Sequence, residues 1–208
     1  MGETVVADSR EAIRVGSKSF AAAAMLFDKG CREDAYMLYA WCRYCDDRID
    51  AQLLGHGTTE ETEPVEARLE TLRRETERAL AGEPVEDTAF AALQRVVERH
   101  EIPELYPHHL LDGFAMDAEG KTFRSLDETL TYCYHVAGVV GVMMAHVMGV
   151  RESAVLDRAC DLGLGFQLTN IARDVMDDAE AGRVYLPLDW LAEAGVERHE
   201  IAAPDRRK

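Results

Sequence analysis

Residues 162–178, LGLGFQLTNIARDVMDD, contain the pattern that decides the fold. At about 100° per residue, the polar residues of this stretch fall on one narrow stripe, and apolar residues cover most of the remaining circumference. The stripe consists of Gln167, Asn170, Asp174, Asp177 and Asp178. A helix this apolar is expected to be buried. Its charges should then face an interior cleft, because buried charges persist only when they are paired or bound to a metal.

A second acidic cluster of the same form, Asp46-Asp47-Arg48-Ile49-Asp50, occurs much earlier in the chain. Carboxylates at positions i and i+4 of a helix lie one turn apart on one face. Asp46 with Asp50 forms one such pair, clamp 1, and Asp174 with Asp178 forms another, clamp 2. Like charges in each clamp repel, and Mg²⁺ suits them because it shares its oxygen ligands between one or two carboxylates and substrate phosphates. The two clamps therefore predict a site for Mg²⁺, or Mn²⁺, together with a phosphate group.

The helix that carries clamp 1 leaves another interpretation open. Its polar and apolar residues divide into two faces, an ordinary amphipathic pattern that also fits a solvent-facing surface. The matching geometry of clamp 2 favours the metal site.

Helical periodicity recurs almost throughout the chain, and no segment alternates convincingly at period two, which predicts an all-α fold. A length of 208 residues suits one helical domain, 1–208, with a sizeable core. The predicted helices cover residues 9–27, 32–51, 65–81, 85–100, 103–119, 126–148, 153–179 and 188–194, with a loop over 52–64.

The formal net charge of −16 argues against nucleic acid and against an anionic membrane surface as partners. An anionic substrate would then need metal ions as an adaptor. Five cysteines without a secretory leader predict reduced thiols in a cytoplasmic protein. The stretch 132–150 is long and apolar enough for a membrane span, but it contains His135 and His146 and has no basic flank, so we interpret it as a core helix.

Four glycines interrupt the two most apolar predicted helices: Gly138, Gly141, Gly163 and Gly165. Each costs about 1 kcal/mol relative to alanine inside a helix, so each needs a reason. Close helix contact is one reason. The other is a narrow apolar tunnel for a hydrocarbon chain, with walls formed by Val136, Val139, Val140, Met143, Phe166 and Ile171. A tunnel that opens onto two metal clamps would suit a prenyl diphosphate.

Six short motifs follow one another along the chain: VGSKSF at 15–20, LYAWCR at 38–43, DDRID at 46–50, YCYHVAG at 132–138, QLTNIARD at 167–174 and GRVYLP at 182–187. At these motifs the chain resembles the squalene/phytoene synthase family, and within it the bacterial phytoene synthases. The resemblance extends over essentially the whole chain and implies the all-α isoprenoid synthase fold. Family members continue for several helices beyond residue 208, so the resemblance also implies a domain that is incomplete at the C-terminus.

The resemblance implies a prenyltransferase of carotenoid biosynthesis that joins two geranylgeranyl diphosphates head to head and forms phytoene through prephytoene diphosphate. By the same resemblance, Asp46, Asp50, Asp174 and Asp178 would hold Mg²⁺ and, with Tyr132, act in catalysis. The implied substrate-binding residues are Ser17, Ser19, Phe20, Tyr39, Arg43, Gln167, Asn170 and Arg173.

Two alternatives remain open at this point. The substrate could be farnesyl diphosphate, with squalene or dehydrosqualene as the product, because tunnel depth sets the chain length. The chain could also be a non-catalytic assembly or scaffold relative of the same fold. Partners expected beyond the substrates are limited to peripheral contact with a membrane for product release, and the oligomeric state stays open.

Overall fold

The computed structural model describes residues 2–51 and 63–202, and the regular structure in this part of the chain is entirely helical, as predicted. A π-helical turn, Tyr134–Gly138, joins α7 to α8, and a 3-10 turn, Arg198–Glu200, follows α10. Most of the predicted loop, 52–62, lies outside the described residues. The helices are α1 Gly2–Gly16, α2 Lys18–Ala24, α3 Lys29–Asp50, α4 Val65–Leu80, α5 Thr88–His100, α6 Leu105–Ala118, α7 Leu126–Cys133, α8 Val139–Val147, α9 Ser153–Glu180 and α10 Leu188–Glu193.

Capping residues explain where the observed helices differ from the predicted ones. The predicted helix 9–27 is split at Ser17, whose backbone is extended and whose Oγ accepts a hydrogen bond from the Phe20 amide at 3.3 Å. Asp28 and Asp87 act in the same way, so α3 and α5 begin directly after them. Each cap satisfies amide groups that would otherwise have no partner in the first turn.

The main hydrophobic core lies between α3, α5, α6 and α8. Its fully buried members include Trp41, Leu93, Leu111, Val139 and Met143. The helix α3 crosses this core and buries Trp41, Cys45 and Ile49, which recur every four residues on one face. Its opposite face is therefore free to carry polar residues towards another surface.

The helices α7 and α8, with the π turn between them, form one continuous helix, Leu126–Val147, of mean hydropathy 1.3. Length and composition alone would allow this helix to cross a membrane. Half of its most apolar stretch is buried inside the protein, and the helix contacts both α6 and α9. This is the environment expected of the core helix that the sequence suggested.

Glycines bring α9 unusually close to this long helix. A methyl group on Gly163 would lie 2.5 Å from the carbonyl oxygen of Ala137, and one on Gly141 would collide with the carbonyl oxygen of Ala159. A methyl group on Gly165, in contrast, would meet no atom within 4 Å. Close helix contact therefore accounts for Gly163 and Gly141, and Gly165 has no packing role in the described structure.

The expectation that α9 is buried around its circumference is wrong. Only Ile171 of this helix is buried, while Leu162 and Phe166 are 64% and 52% exposed. The reason is that α9 packs mainly along one face, against α7, the π turn and α8. Near its C-terminal end, Val175 and Met176 also pack against the apolar cluster that follows α9 in the chain and includes Leu191. The apolar periodicity of α9 indicates which faces of the helix prefer burial. The described residues do not cover its outer face.

Candidate active site

The two clamps face each other across one cavity of about 280 Å³. Clamp 1 reaches the cavity from α3 and clamp 2 from α9, and the structure brings eight of the predicted site residues to its wall. They are Asp46, Asp50, Tyr132, Gln167, Asn170, Arg173, Asp174 and Asp178. Four lining residues had no predicted polar or catalytic role: Asp117, Ile171, Arg183 and Tyr185.

Clamp 1 lies at the end of α3, where Ala51 adopts a left-handed conformation with φ of 53° and ends the helix. The Arg43 guanidinium donates a hydrogen bond to Asp46 at 2.5 Å, and Arg183 donates one to Asp50 at 2.5 Å. Burial raises the pKa of Asp46 to about 7, against the opposing effect of Arg43, and the neighbouring Asp50 raises it further. Asp46 lines the cavity, and the accessible part of its side chain is open to the cavity. Protein atoms surround the rest of this side chain.

Clamp 2 is electrostatically different from clamp 1. Arg173 donates two hydrogen bonds to Asp174, at 2.7 and 2.5 Å, and this contact lowers the pKa of Asp174. Burial and the charge of Asp174 raise the pKa of Asp178 to about 6. Each clamp therefore contains one carboxylate whose pKa is raised by burial, Asp46 in clamp 1 and Asp178 in clamp 2. The other carboxylate of each clamp, Asp50 or Asp174, is paired with an arginine.

The donor chemistry of the clamps fits a hard divalent cation. All four side chains offer carboxylate oxygens, the ligands that Mg²⁺ prefers. Among residues 2–51 and 63–202, no group of three or more His, Cys, Asp or Glu side chains is arranged to hold a metal ion. Two carboxylates per clamp leave a coordination shell incomplete, which suits a cation that takes its remaining ligands from water and from a phosphate group.

An aspartate and two tyrosines form the wall between the clamps. The Tyr132 hydroxyl donates to Asp117 Oδ2 at 3.0 Å, and the Tyr185 hydroxyl donates to Asp117 Oδ1 at 2.9 Å. The two rings are stacked, with centroids 4.9 Å apart and planes 19° apart. Phe123 packs against this pair with its centroid 5.2 Å from that of Tyr132. Burial is the main cause that raises the pKa of both Asp117 and Tyr132.

Arg183 and Tyr185 enter the site because the chain reverses directly after α9. Gly182 has φ of 82°, a conformation that favours glycine, and ends the helix. The following segment is then fixed against the start of α7, where Thr129 Oγ1 donates to the Tyr185 carbonyl at 3.2 Å and the Leu188 amide donates to the Phe123 carbonyl at 2.9 Å.

Sequence reasoning missed Asp117, although a signal was present. Asp117 continues the buried face of α6 that carries Leu110, Gly113 and Phe114. A carboxylate on an apolar helix face requires a partner, so its position alone indicated a buried polar contact.

The remaining predicted substrate-binding residues do not line the cavity. Phe20 contacts Tyr39 edge to face at 6.2 Å, and Arg43 lies over the Tyr39 ring at 5.9 Å, so these three lead from α2 to clamp 1. Ser17 caps α2, and its Oγ lies 3.3 Å from Ser19 Oγ. Their roles in binding stay predictions.

The predicted tunnel does not match the packing. Of its six proposed wall residues only Ile171 lines the cavity, whereas Val139 and Met143 are fully buried in the main core. Phe166 is half exposed and contacts Phe20 with ring centroids 6.4 Å apart.

The chain has curated relatives that are named phytoene synthases. Curated relatives include a 15-cis-phytoene synthase of Paracoccus sp., 58% identical over 92% of this chain, and one of Pantoea ananas, 54% identical over 95%. The chain spans 62% and 64% of the lengths of these two relatives.

Solved structures share the fold. A dehydrosqualene synthase crystal structure matches with a TM-score of 0.83 and 29% identity, covering 96% of this chain and 67% of that one. The structure of a squalene synthase of Alicyclobacillus acidocaldarius matches with a TM-score of 0.83 and 24% identity, and the match covers 96% of this chain and 72% of that one. The family model for squalene/phytoene synthase matches residues 13–208, and the chain belongs to this family.

Proposed function

We propose that the protein catalyses the Mg²⁺-dependent head-to-head condensation of two geranylgeranyl diphosphates to phytoene, through prephytoene diphosphate, in carotenoid biosynthesis. The observation that carries the proposal is the single cavity onto which both clamps face. The identity of 54–58% to relatives named 15-cis-phytoene synthase supports this choice of substrate and product.

In this proposal Asp46, Asp50, Asp174 and Asp178 hold the metal ions. When bound, the ions would supply Lewis-acid stabilisation of the negative charge on the departing diphosphate. Arg43, Arg173 and Arg183 each pair with a clamp carboxylate. Once that carboxylate turns to a cation, its arginine can bind diphosphate oxygens, for which the guanidinium fork is well suited.

The chemistry proceeds through allylic cations. The first diphosphate leaves with the electron pair of its C–O bond, and the double bond of the second substrate captures the cation. Loss of a proton closes the cyclopropane ring of prephytoene diphosphate. A second ionisation, a rearrangement and a further proton loss give phytoene without a reductant. Tyr132 and Tyr185 line the cavity, and aromatic rings in such a position can stabilise positive carbon.

Incubation with isotopically labelled geranylgeranyl diphosphate and Mg²⁺, followed by mass spectrometry of the hydrocarbon products, tests the proposal. We expect phytoene from the unaltered chain and none from an Asp46→Asn, Asp174→Asn double variant. Farnesyl diphosphate in a parallel reaction tests the second candidate, a dehydrosqualene or squalene synthase, which the structural likeness to a dehydrosqualene synthase favours. Hydrocarbon from neither substrate would contradict both enzymes and leave the scaffold alternative.

The proposed product is a hydrocarbon, so we also propose a cytoplasmic protein that contacts a membrane peripherally to release it. Phe20, Met25 and Leu26, in and after α2, are 50%, 62% and 88% exposed and offer an apolar contact. The net charge of −16 predicts a preference for neutral over anionic lipid vesicles, which co-sedimentation with each kind would measure.

A further inference from the structure

We propose that Asp117 is a positioning residue of this site, which holds the hydroxyls of Tyr132 and Tyr185 and thereby fixes the stacked ring pair on the cavity wall. The inference rests on the proposed function, since the rings matter there as the surface that faces the cationic carbons.

Both carboxylate oxygens of Asp117 accept hydrogen bonds from the two tyrosine hydroxyls. Oδ1 accepts from Tyr185 at 2.9 Å and Oδ2 accepts from Tyr132 at 3.0 Å. The three residues come from α6, α7 and the segment after α9, so the carboxylate ties together three separate parts of the chain. A phenol has one proton to donate, and each of these two phenols donates it to Asp117.

The same carboxylate connects the aromatic wall to clamp 1. The positive charge of Arg183 acts on Asp117, and Arg183 also donates a hydrogen bond to Asp50 at 2.5 Å. Asp117 thus lies between an arginine that bonds to clamp 1 and the two tyrosines. Its charge is satisfied inside the protein, which limits its repulsion of a bound diphosphate.

The arrangement has a chemical consequence for the rings. When the hydroxyl of a phenol donates a hydrogen bond to a carboxylate, the ring becomes richer in electrons. The negative face of the ring then attracts a cation more strongly. Loss of Asp117 should therefore weaken the steps that pass through carbocations more than the binding of diphosphate. This separates a positioning role from a general contribution to stability.

The variant Asp117→Asn keeps the shape of the side chain and offers only one acceptor oxygen. We expect kcat for phytoene to fall roughly tenfold to a hundredfold, the range found when an outer residue that orients a site ligand is lost. KM and the calorimetric affinity for pyrophosphate with Mg²⁺ should stay within about threefold, because the clamps and their arginines are untouched. Alcohols formed when water captures the cations should increase among the products.

A matched control uses a second carboxylate that hydrogen-bonds a tyrosine, Asp87 with Tyr44, away from the cavity. Asn is as good an N-cap as Asp, so Asp87→Asn preserves the start of α5 and should leave kcat unchanged. Wild-type kcat in Asp117→Asn would overturn the proposal. A parallel loss of kcat, pyrophosphate affinity and melting temperature would also overturn it, because that result indicates a structural role alone.

Failure of the proposed function would be recognised separately. If the unaltered protein forms no hydrocarbon from either prenyl diphosphate, near-ultraviolet circular dichroism decides whether Asp117 positions the rings. A loss of the tyrosine signal in Asp117→Asn, at unchanged helix content, supports the positioning role. An unchanged near-ultraviolet spectrum in this variant would refute it.

Discussion

The contact between α9 and the long helix predicts that a single methyl group at Gly163 will destabilise the protein. In Gly163→Ala the new Cβ would lie 2.5 Å from the Ala137 carbonyl oxygen and 2.8 Å from Gly138 Cα. Real Cβ atoms essentially never approach other atoms within 3.0 Å. The obstacle is backbone and cannot rotate away, so the two helices must separate locally by at least about 0.5 Å.

The magnitude follows from two opposing effects. Overpacking of this kind costs roughly 1–3 kcal/mol, and alanine recovers about 1 kcal/mol of helix propensity relative to glycine. We expect a net loss of about 1–2 kcal/mol in the free energy of unfolding. For a chain of this size, each kcal/mol lowers the melting temperature by about 2–4 °C. Clamp 2 lies on α9, so its displacement should also reduce the stabilisation given by Mg²⁺ with pyrophosphate.

Gly165 provides the matched control on the same helix. Its added methyl group would meet no atom within 4 Å, so Gly165→Ala should stabilise the protein by up to about 1 kcal/mol. Thermal and urea denaturation of both variants would measure the difference in sign. Equal or greater stability of Gly163→Ala relative to the unaltered protein would refute the close-contact interpretation.

Three further predictions follow from the site and the cysteines. Asp46→Asn or Asp174→Asn should each lower turnover on the order of a hundredfold or more if each clamp stabilises the departing diphosphate by several kcal/mol, and near-normal rates in either would refute the two-clamp mechanism. Because the folded pKa values of Asp46 and Asp178 are raised to about 7 and about 6, the folded protein keeps protons there that the unfolded chain has lost. Stability without metal should therefore fall as the pH rises from about 4, the usual pKa of an aspartate in an unfolded chain, to about 7. Over the same range the gain in melting temperature from Mg²⁺ with pyrophosphate should increase and exceed the sum of the separate gains; a gain that shrinks with pH would contradict this. All five cysteines are free, and burial raises the pKa of Cys42 to about 12 and that of Cys133 to about 11. Thiol titration should therefore find five thiols in the denatured protein, and Cys42 and Cys133 should react slowly in the folded protein. An intact disulfide or bound zinc would contradict this prediction.

Sequence periodicity predicted the helical fold and the two clamps because both depend on local spacing. Asp46 with Asp50, and Asp174 with Asp178, needed only a helix at each place, and both helices are present. The cap at Ser17 split one predicted helix, and the caps at Asp28 and Asp87 shifted helix starts by a few residues, because local hydrogen bonding competes with periodicity.

The partners across the cavity were beyond such reasoning. Arg183 and Asp50 are separated by 133 residues, and the ion pair between them depends on how α9 ends and where the chain turns next. The apolar pattern of α9 was likewise insufficient, because a pattern indicates which face prefers burial and does not supply the element that covers it. Phe166 illustrates this, since half of its surface is exposed.

The geometry of the long helix depends more on the number of residues in the π turn at Tyr134–Gly138 than on which residues they are. The π turn holds one residue more than a regular helical turn, so removing a single residue there would restore an ordinary α-helix. The α7 part of the long helix would then rotate by about 100° about the helix axis relative to α8. Tyr132 would leave Asp117 and Thr129 would leave the Tyr185 carbonyl, while Met143 could stay in the core. A one-residue deletion, mild by most measures of sequence change, would thus dismantle the aromatic wall and spare the fold around it.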